Sequence, residues 1–379
     1  MYVDLLRGSG YGGEGIHVSP AGRGGAPAHR WEQDAPVIEN GLERTVAAGG
    51  GGAMVDPAGA RPRVAVTRHL PGGALDRLRE VADVAVWPSR RPPTPDDLRS
   101  FVAGAAGLIT MLTDRVDADL LDACPDLRVV ANLAVGYDNL DVSELTQRGI
   151  PAGTTPGVLT NSTADVAWAL ILATCRRLPE GAAAVRAGEW LTWEPDWLLG
   201  VDVAGATLGI VGYGRIGAAV ARRAAGFGMD ILAWNRTPRS APGVTFVEFD
   251  ELLRRADIVT LHCALTDETR RLIGVDELRA MKATAVLVNT ARGPIVDQRA
   301  LARALRTGEI MAAGLDVVEQ EPIPPDDELL SLPNCLVLPH TGSATVATRS
   351  KMADMAVDNV LAVLAGEAPP TCINPEALG

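Results

Sequence analysis

Three short segments late in the chain carry the side chains best suited to chemistry. Asn289-Thr290-Ala291-Arg292-Gly293 sets Arg292 just past an apolar run. Asp316-Val317-Val318-Glu319-Gln320-Glu321-Pro322 sets Asp316 at the end of another, with Glu321 beyond it, and Leu338-Pro339-His340-Thr341-Gly342-Ser343 sets His340 in a tight loop after a third. A guanidinium can grip a carboxylate through two parallel hydrogen bonds, and an imidazole exchanges protons near neutral pH. Of the five histidines, His17 and His29 lie in a glycine-rich N-terminal stretch and His69 lies near the first strand. His262 lies inside or at the end of an apolar strand, where a structural role is expected. That leaves His340 as the histidine placed for catalysis.

Upstream, Thr207–Gly217 reads as a strand, a glycine turn and a helix, with Gly212, Gly214 and Gly217 spaced G-x-G-x-x-G. The first glycine makes the turn, the second admits a pyrophosphate to the backbone, and the third lets helix and strand pack closely. A dinucleotide site is therefore expected, with Arg215 and Ile216 between the glycines. NAD sites usually place a carboxylate about 20 residues further on, to accept the ribose 2′-OH. Here the next strand ends in Asn235-Arg236-Thr237-Pro238-Arg239. A carboxylate would repel a 2′-phosphate, whereas arginine can hold one. The expectation is NADP(H) in preference to NAD(H), with NAD(H) still possible. The alternative for these arginines is a solvated loop cluster.

The elements around these loops follow one plan. From residue 61, apolar runs at 64–67, 84–87, 107–110 and 129–132, and a short one near Ile150, alternate with helix-like stretches at 74–81, 95–104, 118–123 and 142–148. A long helix, expected to be capped near Asn161-Ser162, precedes three tryptophans within eight positions, Trp190, Trp193 and Trp197. Packing, or an arm exchanged with a partner subunit, accounts for them equally well. A second series has strands at 208–211, 231–234, 244–247, 258–262, 285–289, 312–316 and 336–338, then a long helix over 344–366. Near-continuous apolar strands with helical crossovers mean parallel sheets covered on both faces. The fold class is thus α/β, with two doubly wound parallel-sheet domains of Rossmann or flavodoxin-like type. The dinucleotide domain, 161–344, is inserted into a substrate domain made of 61–160 and completed by 345–379. Residues 1–60, rich in Gly, Ala and Pro, read as a disordered or dispensable extension, and Met54 is a candidate natural start.

Composition narrows the partners. A formal net charge of -12 argues against an electrostatic nucleic-acid binder and favours small-molecule chemistry. No apolar run reaches the roughly 18 residues that a membrane span needs, so no membrane partner is expected. The five cysteines are scattered without C-x-x-C, which points to free thiols, no metal site and a reducing, cytoplasmic location.

From about residue 62 to 370 the sequence resembles the D-isomer-specific 2-hydroxyacid dehydrogenase family, and within it most the glyoxylate/hydroxypyruvate reductases. The resemblance rests on Leu133-Ala134-Val135-Gly136-Tyr137-Asp138-Asn139, Thr155-Pro156-Gly157-Val158-Leu159-Thr160, the glycine loop, Asn289–Gly293, Gly314-Leu315-Asp316-Val317 with Glu321-Pro322, and Pro339-His340. It implies hydride transfer between a nicotinamide cofactor and a small 2-keto or 2-hydroxy acid. His340 would be the general acid, and Glu321 would hold its other ring nitrogen, fixing the tautomer and favouring the protonated ring. Arg292 would pair with the substrate's carboxylate and carbonyl oxygens. Val135 and Gly136 would offer backbone N–H groups to that carboxylate, with Ser343 on the substrate side and Met111-Leu112-Thr113 on the pocket wall. Asp316 would hold the nicotinamide carboxamide, and Ala264, Thr290 and Gly342 would line the cofactor. The related formate dehydrogenases carry Gln where Glu321 stands, so the carboxylate favours proton transfer. The resemblance also implies a homodimer formed through the dinucleotide domain, involving 161–200. The alternatives are another 2-keto acid as substrate, or an NAD(P)H-sensing, corepressor-like binding protein on the same fold.

Overall fold

The computed structural model describes residues 61–237 and 239–379; the stretch 1–60, including Met54, lies outside the described residues. The first series runs β1 (Arg63–Val66), α1 (Ala74–Arg79), β2 (Asp83–Val86), α2 (Pro95–Val102), β3 (Gly107–Thr110), α3 (Ala118–Asp122), β4 (Val129–Asn132), α4 (Val142–Gln147) and β5 (Ala152–Gly153). Its five strands are all parallel, in the order β2-β1-β3-β4-β5. Period-two alternation puts Val64 and Val66 against α1 on one face, and Ala65 beside Leu98, Val102 and Leu120 of α2 and α3 on the other.

Two helices lead away, α5 (Thr160–Cys175) and α6 (Leu178–Ala187). The start of α5 differs from the expected cap. Leu159 is the N-cap residue and no side chain caps the helix; Asn161 and Ser162 lie inside it, and the Ser162 hydroxyl donates back to the Leu159 carbonyl at 3.1 Å. Helix α6 had no expectation attached to it, because its alanine-rich run shows little apolar periodicity. It ends at Gly188 in the left-handed region. The tryptophan segment after it forms turns rather than a regular element.

The second series is β6 (Thr207–Val211), α7 (Arg215–Ala224), β7 (Asp230–Trp234), β8 (Thr245–Phe246), α8 (Phe249–Arg255), β9 (Ile258–Leu261), α9 (Val275–Ala280), β10 (Val286–Asn289), α10 (Gln298–Thr307), β11 (Ala312–Leu315) and β12 (Cys335–Val337). The sheet order is β12-β11-β10-β9-β6-β7-β8, again all parallel. The order reverses between β6 and β9, which is where a doubly wound sheet opens a crevice at its carboxyl ends. One face is filled by α5 and α7 over Leu208, Ile210, Val286 and Val288, and the other by α8, α9 and α10 over Val259, Leu261 and Leu287.

The last helix, α11 (Val346–Leu364), capped by Thr345 through a 3.1 Å bond from Thr348 N–H, packs on α1, β3 and β4 of the five-stranded sheet. The chain therefore leaves the first sheet, builds the second, and returns. The five cysteines are free, Cys124 and Cys175 buried and the others partly so. No helix among the described residues is long and apolar enough to cross a membrane.

Candidate active site

The chemistry-bearing loops all follow strands of the seven-stranded sheet at one end: 212–217 after β6, 235–239 after β7, 262–269 after β9, 290–292 after β10, 316–321 after β11 and 340–343 after β12. Parallel pairing alone requires this, because every carboxyl end points the same way.

The three glycines of the loop meet different surroundings. Gly212 has φ +96, and a Cβ there would stand 2.5 Å from the backbone nitrogen of Cys263. At Gly217 it would stand 2.4 Å from the Gly212 carbonyl oxygen. Both positions therefore need glycine for the protein's own packing. Gly214 differs: it is the N-cap residue of α7, and a Cβ there would meet nothing within 4 Å. Its missing side chain leaves open space at a helix N-terminus, which suits an anion. Arg215 is exposed at the first turn of the helix and Ile216 is partly buried.

After β7, the Asn235 side chain accepts from Tyr213 N–H at 3.0 Å and donates to the Thr237 carbonyl at 3.0 Å, tying the two loops together. Arg236, Thr237 and Arg239 are exposed. Arg236 Nη1 lies 3.7 Å from Glu268 Oε2. The Glu268 carboxyl is held below its usual range, chiefly by hydrogen bonding from Thr266, with a smaller contribution from Arg236.

His262 lies between two hydroxyls, Thr260 Oγ1 at 3.0 Å from Nε2 and Thr290 Oγ1 at 3.3 Å from Nδ1. Desolvation pushes it down to about 3, so the ring is neutral near pH 7. Ala264 is exposed nearby, and Thr290 is buried.

The turn carrying Arg292 is templated by Asn289, which donates to the Arg292 carbonyl at 2.8 Å and accepts from Ala291 N–H at 3.0 Å. The guanidinium reaches across to the loop after β4. Its Nη1 donates to the Ala291 carbonyl at 2.9 Å and its Nε to Asp138 Oδ1 at 2.9 Å. A Cβ on Gly136 would lie 1.8 Å from Nη2, so only glycine admits the guanidinium in this pose. Among the described residues nothing accepts from the N–H groups of Val135 or Gly136. Unpaired amides beside a guanidinium suit a carboxylate.

His340 sits at φ +53, and its Nδ1 lies 2.7 Å from Glu321 Oε2. Both side chains are about one-quarter exposed (25% and 26%), so the pair is reachable without being flooded. Asp316 holds this loop. Its Oδ1 accepts from Thr341 N–H and the Thr341 hydroxyl at 2.6 and 2.9 Å, and its Oδ2 from Gly342 N–H at 2.7 Å. With two acceptor sites per oxygen, one site is left on Oδ2 for anything else. Sequence reasoning expected Asp316 to face a ligand and missed this internal duty. Gly342 also packs against Thr163, and Ser343 is partly buried.

A parallel dinucleotide sheet, a glycine turn open at Gly214, and a cation with a histidine–carboxylate pair at the same sheet end define a nicotinamide-dependent dehydrogenase. Comparison with known proteins agrees. Residues 168–342 match the family model described as D-isomer specific 2-hydroxyacid dehydrogenase, NAD binding domain. The chain is 50% identical over 323 residues to a glyoxylate reductase of Korarchaeum cryptofilum, covering 84% of this chain and 97% of that one. It resembles the crystal structure of a Thermus thermophilus protein (TM-score 0.79, 50% identity, 82% and 99% covered). It also resembles an NADPH-dependent glyoxylate/hydroxypyruvate reductase of Sinorhizobium meliloti in complex with NADP and malonate (TM-score 0.73, 36% identity, 84% and 98% covered). The chain belongs to the D-isomer-specific 2-hydroxyacid dehydrogenases, and it is an NAD(P)-dependent dehydrogenase.

Proposed function

We propose that the protein reduces a small 2-keto acid, glyoxylate or hydroxypyruvate, to the 2-hydroxy acid, with NADPH preferred over NADH. The observation that carries this reading is the 2.7 Å His340–Glu321 pair on the same sheet end as Arg292. When bound, the nicotinamide supplies the hydride for the carbonyl carbon. The chain's residues supply the rest. Arg292 Nη2 and the free N–H groups of Val135 and Gly136 hold the substrate carboxylate. The guanidinium also draws charge from the carbonyl oxygen as it becomes an alkoxide. His340 gives that oxygen its proton from Nε2, while Glu321 accepts from Nδ1–H and keeps the ring oriented for the transfer. In the cofactor site, Gly214 and the first turn of α7 face the pyrophosphate, with Arg215 and Ile216 beside it. Asn235, Arg236, Thr237 and Arg239 surround the adenosine ribose, and Arg236 takes the 2′-phosphate. Ala264, Thr290, Asp316 and Gly342 line the nicotinamide half, and Ser343 lies on the substrate side.

Residues 61–160 and 345–379 act as the substrate domain around 161–344. We also assign the exposed apolar segment 178–199 to a homodimer contact. Leu178, Trp190, Leu191, Trp193 and Leu199 are all exposed along it, a run of large apolar side chains of the kind an interface covers. A hollow of about 300 Å³ beside it, lined by Thr174, Arg177, Leu199, Met311 and Asn334, lies at the amino ends of β11 and β12, away from the catalytic loops.

The test is NADPH oxidation with glyoxylate and with hydroxypyruvate, in the wild type and in His340→Ala. Turnover should vanish in the variant while NADPH binding persists. Cofactor binding without turnover in the wild type would instead favour a nucleotide-sensing protein, and activity surviving in His340→Ala would remove the general acid.

A further inference from the structure

The Arg292 guanidinium is fixed from the other lobe. Its Nε donates to Asp138, a residue 154 positions earlier in the chain, on the loop that follows β4. That loop is rigid for reasons unconnected with Arg292. Asn132, buried at the end of β4, donates to the Gly136 carbonyl and to Asn139 Oδ1, both at 3.0 Å. Asn139 donates in turn to the carbonyls of Met111 and Asp114 at 3.1 and 2.9 Å. Asp138 is thus carried between two clamped residues, and the long arginine side chain is the partner that adapts. Arginine has two terminal nitrogens and Nε. Here Nε is taken by Asp138 and Nη1 by the Ala291 carbonyl. Nη2 has no acceptor among the described residues and lies against Gly136, beside the unpaired amides of Val135 and Gly136.

We infer that Asp138 is the positioning residue for Arg292: by occupying Nε from the opposite lobe, it aims the one free amino group of the guanidinium at the place where the backbone amides of 135–136 would hold a carboxylate. An ion pair with Asp138 40% and Arg292 22% exposed adds little to stability. Its worth lies in orientation, since a guanidinium already aimed at the carboxylate binds it without first having to be ordered. The pair also makes the cation's pose depend on the two lobes being together, so the carboxylate site is complete only when they are. Gly136 supplies the room and Asp138 the direction.

This inference rests on the reading of Arg292 as the group that binds the substrate carboxylate. The experiment measures kcat, KM for glyoxylate, NADPH Kd and melting midpoint for Asp138→Ala, Asp138→Asn, Arg292→Ala and the Asp138→Ala/Arg292→Ala double variant. Asp138→Ala should lower kcat/KM by about 10- to 100-fold, mainly through KM, with NADPH Kd and the melting midpoint unchanged. Asp138→Asn should recover most of the loss, because its amide oxygen still accepts from Nε. In the Arg292→Ala background, Asp138→Ala should cost less than about twofold, because its effect runs through the arginine. A wild-type kcat/KM in Asp138→Ala, or losses that multiply in the double variant, would overturn the inference. An unimpaired Arg292→Ala enzyme would overturn the underlying reading of Arg292 instead.

Discussion

His340 Nδ1 stands 2.7 Å from Glu321 Oε2, so the ring nitrogen left to meet a reactant is Nε2. The pair is also tied to the backbone, because Glu321 Oε1 accepts from Val318 N–H at 3.3 Å. Glu321→Gln keeps an oxygen that can accept from Nδ1–H but removes the carboxylate's negative charge from beside the ring. Its kcat should fall by roughly 10- to 100-fold, with NADPH affinity unchanged and a smaller loss than in His340→Ala. A kcat equal to the wild type's would reduce Glu321 to an orienting role.

The glycine loop separates packing from ligand approach. Gly214→Ala adds a methyl group into open space, at φ -95, which any residue adopts. Its melting midpoint should match the wild type's while NADPH binds at least about tenfold more weakly, since the methyl would occupy the path proposed for the pyrophosphate. Gly212→Ala must place a Cβ at φ +96 and 2.5 Å from the Cys263 nitrogen. It should lose roughly 1–3 kcal/mol of stability as well as cofactor binding. Normal NADPH affinity in Gly214→Ala would mean that the pyrophosphate lies elsewhere.

Arg236 and Glu268 make opposite predictions for one ligand. The two are 3.7 Å apart on the surface, so Glu268 competes with any phosphate for the guanidinium and repels it. Arg236→Ala should weaken NADPH by about tenfold or more and leave NADH within about twofold. Glu268→Gln should tighten NADPH a few-fold without changing NADH, an effect that shrinks at high salt. Titration of each variant with both cofactors decides the matter; equal losses for NADPH and NADH in Arg236→Ala would end the 2′-phosphate reading.

What could be read in advance was whatever is encoded by residue type at a strand end. Gly212 is informative because a positive φ and a close backbone contact strongly favour glycine, and His340 because few histidines compete for a place at a strand end. The twin sheets were legible because strands buried on both faces are apolar throughout. Asp138 was invisible: a carboxylate in a loop says nothing until the fold brings Arg292 to it. The start of α5 misled because Asn161 and Ser162 are good capping residues by type, yet the chain enters the helix before them. Asp316 stood out as a strand-end acid, but that its oxygens are largely spent on the His340 loop is a property of three dimensions.

The exposed segment after α6 predicts assembly. Trp193→Glu combined with Leu191→Asp places charge on side chains that are 80% and 87% exposed in the chain, so the subunit should still fold, melting below the wild type only by the stabilisation that dimerisation adds. Sedimentation should then show the wild type at twice the subunit mass and the variant shifted towards the monomer, as expected when an apolar contact is made polar. A monomeric wild type would remove the homodimer from the proposal.

His262 gives the stability a defined pH dependence. A histidine in the unfolded chain titrates at about 6.5, whereas desolvation holds this one down to about 3. Between those values the unfolded chain binds a proton that the folded chain does not, so acid favours unfolding. Above about pH 6.5 the contribution is complete; below it, stability falls with a slope of at most about 1.4 kcal/mol per pH unit. His262→Gln keeps a neutral hydrogen-bonding side chain but cannot titrate. In denaturant unfolding at pH 7.5, 6, 5 and 4.5 (values chosen to straddle that ordinary histidine value of about 6.5), the variant should be the less stable protein at the highest pH. The gap should then narrow steadily as the pH drops. Curves that stay parallel throughout would show that His262 is not held neutral by the fold.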